Sequence, residues 1–208
     1  VYYFWSYFRV EKNLAPINYV VPTGNFGNVY AGFFSKCMGL PIKKFVVSSN
    51  KNDILTRFFS SGEMKKQKVS QSFSPSMDIQ VSSNFERLLY IINELDTAKV
   101  KQQMLDFKNE GKFEITKEQL LNINKLFAAY KITDEETLSI IKSVYEDYDY
   151  LLDPHSAIGY GALQKAIDNN MIQDSSTIIS LACAHPAKFP GVIKKSINSS
   201  PTGTLPLS

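Results

Sequence analysis

The segment Val21-Pro22-Thr23-Gly24-Asn25-Phe26-Gly27-Asn28 gathers glycines and amides between a β-branched run, "INYVV", and a stretch in which Val29, Phe33 and Cys37 recur near helical period. A passage from strand to helix collects free backbone N–H groups at the positive end of the helix dipole. That combination favours a bound anion, phosphate above all. Gly24 and Gly27 permit positive φ and close approach of backbone to a ligand, while Asn25 and Asn28 add neutral donors. The spacing G-x-x-G is not the dinucleotide fingerprint, and no Gly-Lys-Ser/Thr follows as in a nucleotide P-loop. Two readings stay open: a phosphate cradle, or a tight turn with Asn28 as helix N-cap.

A second group of polar residues lies in "SPSMDIQVSSNFERLL", residues 74–89. Ser74, Ser76, Ser82, Ser83 and Asn84 surround a predicted helix start, and Arg87 follows Asn84 by one turn, where a guanidinium could fork onto phosphate or carboxylate. The plainer reading is a capped helix whose arginine pairs with a surface acid. A third group holds the two histidines, in Asp153-Pro154-His155-Ser156 and Cys183-Ala184-His185-Pro186-Ala187-Lys188-Phe189. No cysteine or carboxylate cluster accompanies them, so the ligand spacing is poor for a metal. No G-x-S-x-G elbow supports a serine triad. Each histidine reads as a structural hydrogen-bonder at a helix start.

The elements that must position these groups alternate. "INYVV" (17–21) and "IKKFVV" (42–47) read as buried strands with a helix between them, a βαβ unit with parallel strands. A helix over "ILTRFFSSGEM" and an ordered surface segment over 65–80 follow. Ser83 with Glu86, Thr116 with Gln119, and Thr133 with Glu136 are capping-box signatures. Residues 84–150 are therefore expected to be a mostly helical subdomain or insertion between an α/β portion, 1–83, and its return, 151–208. In that return, 177–182 is the expected last strand and 186–197 a closing helix. The opening "VYYFWSYFRV" predicts a short buried helix with a broad aromatic face, without the basic start and cleavage site of a signal peptide.

Composition narrows the field. The 208 residues are 44% apolar and 21% charged, ordinary for a globular protein. A net charge of +3 with only short lysine pairs (Lys43-Lys44, Lys65-Lys66, Lys194-Lys195) offers no nucleic-acid footprint. No apolar run approaches the ~20 residues of a transmembrane helix, which leaves no membrane role. Cys37 and Cys183 form no CxxC, and a reduced, cytoplasmic setting is expected. Val1 starts inside an element and "SSPTGTLPLS" closes without a helix, so both ends are expected to be cut.

Taken together, "VPTGNFGN", "GLPIKKFVVSSNKNDILTRFF", "SPSMDIQVSSNFERLL", "DPHSAIG" and "AHPAKFP" resemble threonine synthase in its microbial and fungal form. The resemblance covers most of the chain and is weakest over 95–145. It implies part of a tryptophan-synthase-β-like α/β fold dependent on pyridoxal 5'-phosphate, a parallel sheet with flanking helices and a helical insertion. The implied activity converts O-phospho-L-homoserine and water to L-threonine and phosphate. The resemblance assigns Gly24, Asn25, Phe26 and Asn28 to the cofactor phosphate, with Gly27 letting the backbone close around it. Cys183 takes the position facing the pyridine nitrogen, where the family usually has threonine; a thiol is the weaker partner. Ser74, Ser76, Asp78, Asn84 and Arg87 are assigned to phosphohomoserine.

The family's Schiff-base lysine lies in an S-F-K-D segment ahead of the glycine turn. Phe107-Lys108-Asn109-Glu110 stands in the wrong order and in a helical context, so the catalytic lysine is expected upstream and this chain alone is expected to be inactive. Two alternatives remain: a related phospho-lyase that releases phosphate without making threonine, and a non-catalytic paralogue that keeps an anion-binding loop.

Overall fold

A computed structural model describes residues 1–173 and 175–198. Helix α1 (Tyr2–Val10) buries Tyr3 and Tyr7 alone, one i,i+4 stripe, while Tyr2, Trp5 and Phe8 are exposed. The expected broad buried face is thus a narrow one, because a helix laid on a neighbour covers a single stripe. Strand β1 (Ile17–Pro22) is buried throughout, as a β-branched run between prolines predicts. Helix α2 (Gly27–Cys37) and β2 (Ile42–Ser49) complete the expected βαβ unit, with β1 and β2 parallel. The buried stripe of α2 is Val29, Gly32 and Ser35; Phe33 is half-buried and Cys37 exposed.

Helix α3 (Ile54–Ser61) ends sooner than expected, because Gly62 takes a left-handed φ of 81° and caps it. Glu63–Lys65 (β3) then pairs antiparallel with Lys112–Glu114 (β4). Helix α4 (Phe85–Ile92) is preceded by Asn84 as N-cap, without a side-chain capping bond, so the Ser83–Glu86 box does not form. Helix α5 (Thr97–Asn109) follows, and α6 (Lys117–Asn124) and α7 (Asp134–Tyr148) both start with the expected boxes. Between them β5 (Phe127–Lys131) joins the main sheet beside β2, inside the stretch expected to be mostly helical. Five residues of "FAAYK" are too short for periodicity to separate strand from helix.

Helix α8 (Pro154–Asp168) leads to β6 (Ile178–Ser180), shorter than expected but parallel to β1. The expected closing helix splits into a 3-10 turn at Pro186–Lys188 and α9 (Pro190–Ile197). Pro190 disfavours helical backbone at Phe189, which sits at φ −127°.

The main sheet runs β5-β2-β1-β6, all parallel. Ile17, Tyr19 and Val21 of β1 join the aromatic core with Phe45, Val47 and Phe127. Val20 and Val46 face the other way, against Ile158, Ala162 and Ala166 of α8. From β1 the chain builds outward through β2 to β5, and only later returns with β6 on the other side. The order therefore reverses at β1, where open parallel sheets leave a crevice beyond their carboxyl ends.

Candidate functional site

The glycine turn occupies that crevice, between the end of β1 and the start of α2. Its left-handed residue is Phe26, at φ 63°, and neither Gly24 nor Gly27 is among the positive-φ residues. This corrects the expectation that the glycines supply the unusual backbone. The Phe26 ring is fully buried, 5.1 Å from Phe85 and 6.3 Å from both Phe59 and Phe127. Burying a phenylalanine is worth about 1.5–3 kcal/mol, which outweighs the roughly 1–2 kcal/mol cost of left-handed backbone.

The glycines supply space instead. A Cβ on Gly24 would lie 2.9 Å from the carbonyl oxygen of Ser76, and one on Gly27 would lie 3.1 Å from Asn84 Nδ2. Asn28 is not the N-cap; it lies within α2, and its carbonyl accepts a hydrogen bond from the Tyr3 hydroxyl at 2.9 Å. The N-cap is Phe26, and among the described residues no side chain caps the first turn. The leading N–H groups of α2 are therefore left for another acceptor.

The carbonyls of the turn are taken by the loop before α4. Asn84 donates its backbone N–H to Asn25 O at 3.0 Å and its Nδ2 to the same oxygen at 3.1 Å. Ser82 Oγ donates to Gly24 O at 2.9 Å. With the acceptors engaged and the donors free, the turn presents positive potential, as anion nests do.

The facing wall comes from α8 and the loop after β6. Asp153 caps α8: Oδ1 accepts from His155 N at 2.9 Å and lies 3.0 Å from His155 Nδ1, while Oδ2 accepts from the Ser156 hydroxyl and from Ala184 N at 3.3 Å. Ser156 Oγ in turn accepts from Cys183 N at 3.0 Å. Burial pushes the Asp153 carboxyl up, but hydrogen bonds from His155 and Ser156 outweigh it and hold the group below the usual carboxylate range. The Cys183 residue is exposed as a whole, yet desolvation of its thiol, then the Asp153 charge, push the pKa up to about 12. The thiol stays neutral at physiological pH.

Gly24, Ser76, His155, Cys183 and Lys188 line one cavity of about 290 Å³. Asn84 and Arg87 instead line a larger one of about 980 Å³ with Tyr30, Lys101 and Lys108. The Arg87 guanidinium lies 5.7 Å from the centre of the Tyr30 ring. Ser74 is buried and accepts from Asn50 Nδ2 at 2.9 Å. Asp78 is held by Asn50 Nδ2 at 2.7 Å, Asn52 Nδ2 at 2.9 Å and Ser72 N at 2.9 Å. These two side chains are committed to the protein's own loop. His155 and Lys188 were not assigned to the site from sequence. Their signal was the shared histidine-bearing helix starts, and only the fold brings those starts to Gly24.

A family model described as "Threonine synthase, C-terminal" matches residues 156–207. The threonine synthase of Saccharomyces cerevisiae is 40% identical over 95% of this chain and 41% of its own length. That of Pseudomonas aeruginosa is 38% identical over 94% of this chain and 41% of its own. A crystal structure of threonine synthase with PLP bound, from Brucella melitensis, superposes at a TM-score of 0.91, with 41% identity over 96% of this chain and 42% of that one. The chain thus spans about two fifths of the length of these relatives. Over the stretch it spans, it has their α/β fold and is similar in sequence to the threonine synthases along nearly its whole length.

Proposed function

We propose that the cavity between the glycine turn and the Cys183 loop holds pyridoxal 5'-phosphate, and that the whole protein converts O-phospho-L-homoserine and water to L-threonine and phosphate. One observation carries the reading: the turn after β1 and the loop after β6 wall a single cavity at the point where strand order reverses. The residues fit the cofactor. Among the described residues no side chain caps the first turn of α2, and the lack of a Cβ at Gly24 lets the turn close on the Ser76 loop that shares the cavity. At about 290 Å³ the space lies at the lower end for a small-molecule site.

In this reading the backbone N–H groups of the Asn25–Asn28 turn hold the cofactor phosphate. Phe26 contributes only its main chain, since its ring belongs to the core. The neutral Cys183 thiol offers a soft hydrogen bond to the ring nitrogen. When bound, the cofactor supplies an electron sink that lets protons leave Cα and Cβ of the substrate. Ser76 faces the same cavity, while Arg87 offers a fork for the substrate phosphate. Ser74 and Asp78 shape the loop that carries Ser76. Asn84, which touches the turn and lines the Arg87 cavity, keeps the two phosphate sites apart. The lysine that anchors the cofactor lies outside these residues, and a polypeptide of these 208 alone releases no phosphate. A reduced, cytoplasmic setting belongs to the same reading.

The test is the full-length protein with pyridoxal phosphate and O-phospho-L-homoserine, with phosphate and threonine measured together. Equal amounts of both support the synthase. Phosphate without threonine makes it a phospho-lyase, and a protein that gains no cofactor absorbance is a non-catalytic paralogue. Turnover by the 208-residue polypeptide would overturn its expected inactivity.

A further inference from the structure

His155 is almost wholly buried, and its ring lies 5.0 Å from that of Phe189. Its Nδ1 lies 3.0 Å from Asp153 Oδ1, whereas its Nε2 is buried without a hydrogen-bond partner among the described residues. A ring nitrogen this close to a carboxylate oxygen carries a proton and donates it, so Nδ1 is the donor to Asp153. The fold therefore leaves one ring nitrogen unsatisfied and uses the other.

What the used nitrogen does follows from the bonds around Asp153. His155 supplies two donors to Oδ1, its backbone N–H and its ring N–H. That fixes the carboxylate so that Oδ2 is left for the Ser156 hydroxyl and Ala184 N. Ser156 then accepts from Cys183 N. Three side chains on the first turn of α8 thereby hold two successive amides of the loop that carries the thiol.

We propose that His155 is a positioning residue for the threonine synthase site: its Nδ1–H locks the Asp153 carboxylate, which sets the Cys183–Ala184 backbone against the ring end of the cofactor. The cofactor part rests on the reading of the cavity given above; the clamp itself does not.

The experiment uses the full-length protein and the variants His155→Asn, His155→Gln and His155→Phe. Asparagine puts an amide nitrogen near the place of Nδ1, and glutamine puts one near Nε2. Amide hydrogen exchange is read at Cys183 and Ala184 without cofactor, and the absorbance band of added pyridoxal phosphate is read separately. Expected is near wild-type protection and an unchanged band for the Asn variant. Gln and Phe should exchange at least tenfold faster and shift the band. Rescue by Gln rather than Asn, or wild-type protection in all three, would overturn the proposal. If the Phe variant fails to fold, the contrast between Asn and Gln decides. If the exchange pattern is as expected but no form of the protein gains a cofactor band, the cofactor reading fails and the clamp stands.

Discussion

Asn84 grips the carbonyl of Asn25 twice, through its backbone N–H at 3.0 Å and its side-chain amide at 3.1 Å. Substitution Asn84→Ala removes the second grip alone. Net loss of one hydrogen bond is about 1 kcal/mol, so a urea melt should show a small fall in stability. The larger effect should be on pyridoxal phosphate affinity, several-fold weaker by absorbance titration, because a carbonyl held by one bond rather than two can tilt toward the anion.

The two glycines of the turn should behave differently. In Gly24→Ala the new methyl meets a backbone oxygen at 2.9 Å, which cannot give way without moving the loop at Ser76. Overpacking of this kind costs roughly 1–3 kcal/mol, and cofactor affinity should fall at least tenfold. In Gly27→Ala the nearest atom is the side-chain nitrogen of Asn84 at 3.1 Å, which can rotate away. Thermal melts and titrations of both variants check the order.

At Phe26 the smaller residue should be the less harmful. Phe26→Ala loses the buried ring, about 3–5 kcal/mol, yet keeps a Cβ at a left-handed φ of 63°. Phe26→Gly loses the same ring but relieves roughly 1 kcal/mol of backbone cost. Chemical denaturation should rank glycine above alanine, the reverse of their order within a helix.

Cys183 should be a slow thiol. With its pKa pushed up to about 12, almost none is thiolate at pH 8. Alkylation of the folded protein at Cys183 should run on the order of a hundredfold slower than that of an unfolded-chain thiol, since the thiolate is the nucleophile. A mass-spectrometric time course reads it. Because the folded pKa is raised, stability is full below the ordinary thiol value and falls as pH climbs through the alkaline range.

Asp153 works in the opposite sense. Its folded pKa is depressed, so its contribution is present above the ordinary carboxylate value, about 3.9, and is lost as pH falls through the lower folded value. Asp153→Asn should flatten the acid limb of the stability curve and lower the plateau at neutral pH. Equilibrium melts across the range from pH 3 to 7 would show it.

The βαβ unit and the two capping boxes were legible because strand runs and Thr-x-x-Gln/Glu signals act over a few residues. The strand-to-helix turn at Gly24–Asn28 was legible for the same reason. What governs the turn is not local. The burial of Phe26 depends on Phe59, Phe85 and Phe127, and the free donors depend on Asn84 and Ser82 taking the carbonyls. Ser74 and Asp78 looked available in the sequence, and only Asn50 and Asn52 across the loop reveal that they are spent. Lys188 joins the cavity because β6 pairs with β1, a long-range choice that short, half-buried Ile178–Ser180 scarcely announces.

If the proposed cofactor site is right, Phe26 has a consequence for how the protein acquires its cofactor. One residue is both the cap of α2 and a centrepiece of the aromatic core, so the backbone proposed to hold the cofactor phosphate takes shape only once that core has closed. A nascent chain with a loose interior should have no affinity for the phosphate, and a loaded one should gain melting temperature with cofactor concentration by mass action. Cofactor loading would then act as an inspection step, admitting only chains that have finished folding.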